Sequence, residues 1–298
     1  MQGMIFGCSS NTFLQVTIQL EAKAFNKGRK TMWTKGLAVV VMAAFLITLG
    51  WGGGYCAQSG DAGKDAAADG PRLDPLAEKI LKEASEYLKS MKEFSFHAEI
   101  VYDAVVPPNG KLQYGASADV AVKRPNKLYF EYSDDNASRR LWYDGKTVTV
   151  LDGIHQVYGV IPGLSSTDET LDMLMRKYGW SIPLSEMVHS DPYQALMKSV
   201  QEGHYIGLHK VDGVRTHHLA FIGDRVDWQV WIEDGTELVP RKVTITYKTL
   251  PSSPQYSALF SEWNLAARLP DMVFSPILPK GAEKIEFLEA IKKESPTQ

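Results

Sequence analysis

Residues 115–153, GASADVAVKRPNKLYFEYSDDNASRRLWYDGKTVTVLDG, limit the possible folds more than any other stretch. Apolar and polar residues alternate there through several short runs. The runs break at Arg124-Pro125-Asn126, at Ser133-Asp134-Asp135-Asn136 and at Asp144-Gly145-Lys146. A period of two is the pattern of strands whose faces meet different surroundings. The breaks carry hairpin residues, because Asp and Asn hydrogen-bond their own backbone and Gly accepts a positive φ. The stretch therefore predicts a meandering antiparallel sheet with one strongly apolar face. Alone, such a sheet would leave that face wet, so other parts of the chain must cover it.

Strands are expected at 94–106, 112–123, 128–132, 139–143, 147–151 and 156–161. Upstream, Asp74-Pro75 opens a helix, since Asp caps free N–H groups and Pro suits the first turn. Leu76, Ile80, Leu81, Ala84, Leu88 and Met91 follow at helical spacing and make one apolar stripe. Downstream the period changes. Residues 167–178 read as a short helix with Leu171, Leu174 and Met175 apolar, and 184–188 and 193–200 as further helical pieces cut by Pro183 and Pro192. Short, Met-rich helices between strands read as a lid over an interior, or equally as a plain helical cover. Strands resume at 204–211, 214–222, 226–233, 240–249 and 255–267. In 226–233, Val226, Trp228, Val230 and Ile232 share one face. The tail adds a segment over 272–278, a Pro279-Lys280-Gly281 turn and a short helix over 284–291. The expected fold class is α+β: an open antiparallel half-barrel of about eleven strands with an N-terminal helix and short lid helices.

The N-terminus reads separately. Lys27, Arg29, Lys30 and Lys35 precede the apolar run 37–49, and small residues follow it. That is the plan of a secretory signal peptide, shorter than the roughly 20 residues a spanning helix needs. An uncleaved anchor and lipidation at Cys56 are the alternatives; Tyr55 fits a lipobox poorly. Met32 begins a leader of ordinary length, so residues 1–31 read as a mis-assigned start or as dispensable. The expected organisation is a leader over 1–57, a flexible linker over 58–73 and a single domain over 74–298, located in the periplasm. Both cysteines, Cys8 and Cys56, fall in the leader, so the domain is expected to fold without a disulfide. The chain has 32 basic and 35 acidic residues, of which five basic and one acidic lie in 1–57, leaving 27 against 34. That acidic balance excludes nucleic acid as a partner, because phosphate binding needs a concentrated basic face.

Known catalytic patterns are missing from the sequence: no G-x-S-x-G elbow, no phosphate loop, no dinucleotide fingerprint and no H-E-x-x-H. His217 and His218 are adjacent, but neighbours on a strand point to opposite faces and do not share a metal. His189-Ser190-Asp191 is contiguous, whereas triads assemble in space. Asp134-Asp135-Asn136 lacks the spaced ligands of a calcium loop and reads as a turn. No enzyme activity, cofactor or metal is expected. The remaining signal is aromatic and apolar. Leu128, Phe130 and Tyr132 share a strand face, and Trp142, Trp228, Trp231, Tyr247, Phe260 and Trp263 add large bodies across the sheet. That excess of apolar surface fits a curved sheet around an interior, filled either by side chains or by a ligand.

At Val122-Lys123-Arg124-Pro125-Asn126, followed by Leu141-Trp142-Tyr143-Asp144-Gly145-Lys146-Thr147, the chain resembles the periplasmic lipoprotein carriers of the LolA/LolB type. More narrowly, it resembles an uncharacterised family of predicted periplasmic proteins with that fold. The likeness spans about residues 74–290 in element order and about 115–162 in motif. It implies an incomplete barrel whose apolar interior holds acyl chains under a helical lid. It also implies that Arg124 contacts the lid, where the residues alone leave a solvated strand-end charge equally open. The carriers place an aromatic four residues after that arginine; here the position holds Leu128. The ligand site expected from this likeness comprises Leu128, Phe130, Tyr132, Leu141, Tyr143, Trp228, Leu171 and Met175. The expected function is a non-enzymatic carrier or chaperone for a lipid, a lipoprotein acyl chain or a similar apolar ligand. The alternative is an extracytoplasmic sensor or regulator of the same fold that binds a membrane protein.

Overall fold

Helix α1 (Pro75–Ser90) begins at the expected cap: Asp74 Oδ1 accepts the Leu76 N–H at 2.8 Å, and Pro75 opens the first turn. Its buried face is Ala77, Ile80, Leu81, Ala84, Ser85 and Leu88, while Leu76 stays exposed. The computed structural model describes residues 70–289 apart from 108, 109 and 181. The leader and most of the linker lie outside the described residues. The linker's last two residues, Arg72–Leu73, are already a strand, β1, paired with a later one.

Six antiparallel strands follow α1: β2 (Glu93–Val106), β3 (Gly110–Lys123), β4 (Lys127–Asp134), β5 (Ser138–Tyr143), β6 (Thr147–Asp152) and β7 (Val157–Pro162). Three consecutive hairpins after β4, β5 and β6 use the same device. Asp134 Oδ1 accepts the Asn136 N–H, Asp144 Oδ1 those of Lys146 and Thr147, and Asp152 Oδ1 those of Ile154 and His155. Each carboxylate replaces a backbone acceptor and so fixes a turn. Gly145, at φ +94°, takes the left-handed position that the middle turn requires.

Three helices come next: α2 (Thr167–Tyr178), α3 (Ser185–Val188) and α4 (Pro192–Met197). The chain then makes a second meander of β8 (Val200–Val211), β9 (Val214–Gly223), β10 (Val226–Glu233), β11 (Pro240–Tyr247) and β12 (Gln255–Asn264). A 3₁₀ turn (Asp271–Phe274) and a two-residue strand, β13 (Glu283–Lys284), complete the described chain. All strands lie in one sheet ordered β1-β8-β9-β10-β11-β12-β2-β3-β4-β5-β6-β7-β13. The two meanders join where β12 pairs with β2. The sheet does not close: β1 and β13, each only two residues long and parallel to its neighbour, form its edges. This is the open half-barrel expected, with eleven long strands and two short edge strands.

The helix expected over 284–291 is not formed in its described part. Glu283 N donates to Gln156 O at 2.9 Å and Ile285 N to Tyr158 O at 2.8 Å, so this stretch is held extended along the β7 edge, which excludes helical φ and ψ.

The apolar face of the sheet carries two cores. The larger is built on β2–β7, β11 and β12 and receives Leu171 and Leu174 from α2. Its rows follow the register: Phe94 faces Val122 and Phe96 faces Val120, while Val122 faces Leu128 and Val120 faces Phe130. The smaller lies on β8–β10 beneath α1 and α4, with Ala77, Leu81, Leu219, Phe221 and Ile232 buried. Ile245 packs against both. Each large aliphatic or aromatic side chain buried in these layers contributes about 1.5–3 kcal/mol, which suits a domain with no disulfide among its described residues.

Candidate ligand-binding interior and its lid

The Val122–Asn126 motif forms a junction. β3 ends at Lys123; the Arg124 N–H donates to Lys92 O just beyond α1, and Pro125 O accepts the Thr167 N–H that starts α2, both at 2.8 Å. The Arg124 side chain reaches further. Its guanidinium donates to Val188 O and to His189 O, each at 2.9 Å, and lies 5.6 Å from the centre of the Phe94 ring. Those carbonyls end α3, where a helix has acceptors but no partners of its own and carries partial negative charge. A planar guanidinium meets two neighbouring oxygens at once, which a lysine cannot do in the same way. Burial lowers the arginine's pKa and the Asp168 carboxylate opposes that shift, but the group stays charged at any working pH.

The same segment is held from a second side. Asp168, in the first turn of α2, accepts the Ser190 N–H at 3.0 Å and the Ser190 hydroxyl, and its Oδ2 lies 3.7 Å from His189 Nδ1. Burial works to raise the Asp168 carboxyl, but the bonds from His189 and Ser190 outweigh it and hold the pKa at about 2. Lys89 of α1 adds a 3.4 Å contact to Asp191, which caps α4 by accepting the Gln194 N–H. Residues 188–191 are thus clasped by the sheet, by α2 and by α1.

This arrangement also bears on His189-Ser190-Asp191. In a hydrolytic triad the histidine lies between the serine and the carboxylate. Here the Ser190 hydroxyl donates directly to Asp168, and Asp191 turns away to cap α4. The geometry is that of a structural clasp.

A small cleft opens between the lid helices, lined by Leu171, Met175, Trp180, Ile182, Glu186 and His189 among others, with a volume of about 30 Å³. That is room for one or two water molecules. Glu186 sits half-buried in it, and burial raises its carboxyl against the opposing pull of its own N–H, His189, Ser185 and Lys198. A raised native pKa gives stability that is complete below the ordinary value of 4.5 and is lost as the pH rises through the native value. Glu186→Gln removes the charge that burial disfavours. We expect it to raise the melting temperature by about 2–4 °C at pH 8, for roughly 1 kcal/mol, and to leave it unchanged at pH 4. Thermal melts at the two pH values check this, and equal shifts at both would rule out the carboxyl as the cause.

The expected ligand residues do not all come together. Leu128, Phe130, Tyr132, Leu141 and Tyr143 are buried on one face of β4 and β5, with Leu171 of α2 packed into the same core. Met175 stands apart at the lid cleft. Trp228 lies in the smaller core, stacked on Phe221 at 4.2 Å beneath α1. Around Phe130 the buried side chains form one continuous apolar cluster. The interior turns polar at the end of β4 away from Arg124. There Asp134 Oδ2 accepts the Tyr132 hydroxyl at 2.9 Å and that of Tyr102 at 3.3 Å, and Arg139 faces Asp152 across β5 and β6, both buried. His217 and His218 point to opposite faces, as expected: His217 meets the Tyr205 hydroxyl, while His218 stacks on Trp231 at 4.1 Å. Among the described residues, no three ligand-type side chains converge on a metal position.

The sequence reading missed Asp168, the backbone at Val188 and His189, and the Arg139–Asp152 pair. Ser166 Oγ accepts the Glu169 N–H at 3.2 Å, so Ser166-x-x-Glu169, a capping box the sequence reading passed over, is the signal that places Asp168 in a first helical turn. Its partner 22 positions away left no trace in the sequence.

An open antiparallel sheet, curved over an apolar core and covered by short helices clasped at one end, defines a lidded half-barrel. The chain belongs to the DUF2092 family of predicted periplasmic proteins, whose model matches residues 77–288. The periplasmic location expected from the leader agrees with that membership. None of the curated proteins compared with the chain matches it in sequence. Among solved structures it is similar to an uncharacterised conserved protein from Thermus thermophilus, at 10% identity and a TM-score of 0.43 over 71% of this chain and 99% of that one. It is also similar to the lipoprotein LppX of Mycobacterium tuberculosis, at 16% identity and a TM-score of 0.41 over 66% of this chain and 100% of that one. A LolA superfamily protein from Nitrosomonas europaea matches at 14% identity and a TM-score of 0.31, over 67% and 97%.

Proposed function

We propose that this protein is a non-enzymatic periplasmic carrier that takes the acyl chain of a lipid or lipoprotein into the apolar interior beneath α2 and α3. One observation carries the reading: the end of α3 is held to the sheet by a polar clasp from Arg124 and to α2 by one from Asp168. A polar clasp can be released without unfolding the sheet. The magnitudes favour exchange. Hydrogen bonds to a charged group contribute about 1.5–3 kcal/mol each. An acyl chain burying about ten methylenes gains about 8 kcal/mol, which exceeds the loss of both Arg124 bonds. The lid's apolar residues, Leu171 and Leu174, would repack on the incoming chain and stay buried, so their burial is not lost from that balance.

The test is to delipidate the protein, titrate it with a fluorescent fatty acid and, in parallel, weigh the protein purified from the periplasm by native mass spectrometry. A saturable complex at micromolar concentration and a co-purified lipid mass are expected. A protein that binds no fatty acid and carries no lipid overturns the reading. If it instead holds a membrane protein, the regulator takes the carrier's place.

A further inference from the structure

At one point in the interior wall, the chain's own tail stands where a ligand would. On β7 the inward positions follow from the register: Ile161 lies opposite Val148 and Gly159 opposite Val150. Gly159 therefore leaves a gap in the row of side chains, and a Cβ there would overlap the ring of Phe287. That ring is packed against the larger core. It meets Trp180 edge to face at 4.6 Å and Tyr178 at 6.4 Å, at the C-terminal end of α2 and just beyond it. Glycine at this site is explained by the ring it admits: any larger residue would expel Phe287.

The tail that delivers this ring is lightly held. β13 pairs with β7 over two residues, Glu283 and Lys284. Beyond them, Ile285 N donates to Tyr158 O and an exposed ion pair joins Lys177 to Glu289 at 3.0 Å. Glu286 and Leu288, on either side of Phe287, are exposed. One aromatic side chain thus anchors a segment that otherwise faces solvent. Segments with few buried contacts open at low free energy, ahead of the sheet they lie on.

We propose that the Gly159 notch, walled by Trp180 and Tyr178 at the open β7 edge, is an acyl-chain subsite, and that Phe287 is a resident stand-in that the incoming chain displaces. The proposal rests on the carrier reading. The notch is one ring wide, because Val157 and Ile161 flank the glycine on the same strand face. It is lined by aromatic surface and leads into the core that Phe287 touches. An unbranched hydrocarbon matches that width and that lining. The notch also lies on the strand edge closed only by β13, so a chain entering there need not part the long strands.

The test compares the wild-type chain with Phe287→Ala and Gly159→Leu by titration with cis-parinaric acid, with palmitate as competitor. Phe287→Ala removes the internal competitor and is expected to tighten binding about tenfold. Gly159→Leu fills the notch and is expected to weaken binding at least tenfold, while freeing the tail for proteolysis after Lys284. Phe287→Ala alters only the tail's anchor, so it decides the matter even if Gly159→Leu folds poorly. If the wild type binds and Phe287→Ala binds equally well, the subsite is overturned and the carrier stands. If no variant binds, the carrier reading falls and the subsite with it. Displacement of the tail by an extended aromatic peptide, with no response to fatty acid, would make the notch a peptide site and also overturn the proposal.

Discussion

Arg124→Leu is expected to raise the rate of proteolytic cleavage within residues 182–199 about a hundredfold while leaving the sheet folded. Leucine keeps much of the buried stem but removes both donors, so Val188 O and His189 O lose their partners at the end of α3. Two charge-assisted bonds at about 1.5–3 kcal/mol each, discounted because they share one side chain, give a loss of about 3 kcal/mol. A factor of ten in an opening equilibrium corresponds to about 1.4 kcal/mol, so the lid's open population rises about a hundredfold. The loss is local, since α3 and α4 span only four and six residues and the sheet's ladders do not depend on them. Arg124→Lys should fall between, because one ammonium does not bridge two carbonyls in a plane. On the carrier reading, the leucine variant also exchanges bound fatty acid faster. Limited proteolysis with mapped cut sites reads the first effect, and an unchanged lid cleavage rate would show that Arg124 does not hold the lid.

Asp152→Ala is expected to cost more in global stability. Asp152 and Arg139 are 6% and 7% exposed and face each other across β5 and β6. Burial lowers the arginine's pKa, and the charges of Asp152 and Asp134 oppose that shift. Asp152 also builds the β6–β7 turn by accepting from Ile154 and His155, each at 3.0 Å. Removing one partner of a buried charge pair costs about 3–5 kcal/mol, because the other is left uncompensated. For a domain of this size the melting temperature should fall by about 10 °C. Asp152→Asn keeps a turn acceptor and should lose less. The pair Arg139→Met with Asp152→Asn should recover more than half the loss, since it leaves no guanidinium buried without its partner and keeps an acceptor for the turn. Thermal or urea unfolding of the single and double variants checks this. A loss below about 1 kcal/mol for Asp152→Ala would mean that Asp134 alone balances Arg139.

The two predictions differ in how far they could be read from the chain. Asp134, Asp144 and Asp152 announce their hairpins because a turn is closed by residues two or three positions away. The alternation of Leu128, Phe130 and Tyr132 announces a buried strand face for the same local reason. α2 is bounded in the sequence by Ser166, its cap, and by Gly179 at φ +70°, so its limits were legible to the residue. Trp228 was harder. It alternates as cleanly as Phe130 does, and only the position of β10 beneath α1 assigns it to the smaller core. Residues 284–291 have helical spacing, yet the β7 edge holds Glu283 to Ile285 extended instead.

Local chemistry thus determined the elements: where strands turn, where helices begin and which face of each is apolar. What faces what was decided by the tertiary structure. The closing of the lid on Arg124 joins side chain and carbonyls across 64 and 65 positions, and Gly159 takes the ring of Phe287 from the far end of the chain. A single guanidinium or a single glycine looks the same in a sequence whether it meets solvent or a partner. Periodicity records which side of an element is buried. It carries no record of the element that buries it, because that depends on how two meanders, written one after the other, lie edge to edge in one sheet.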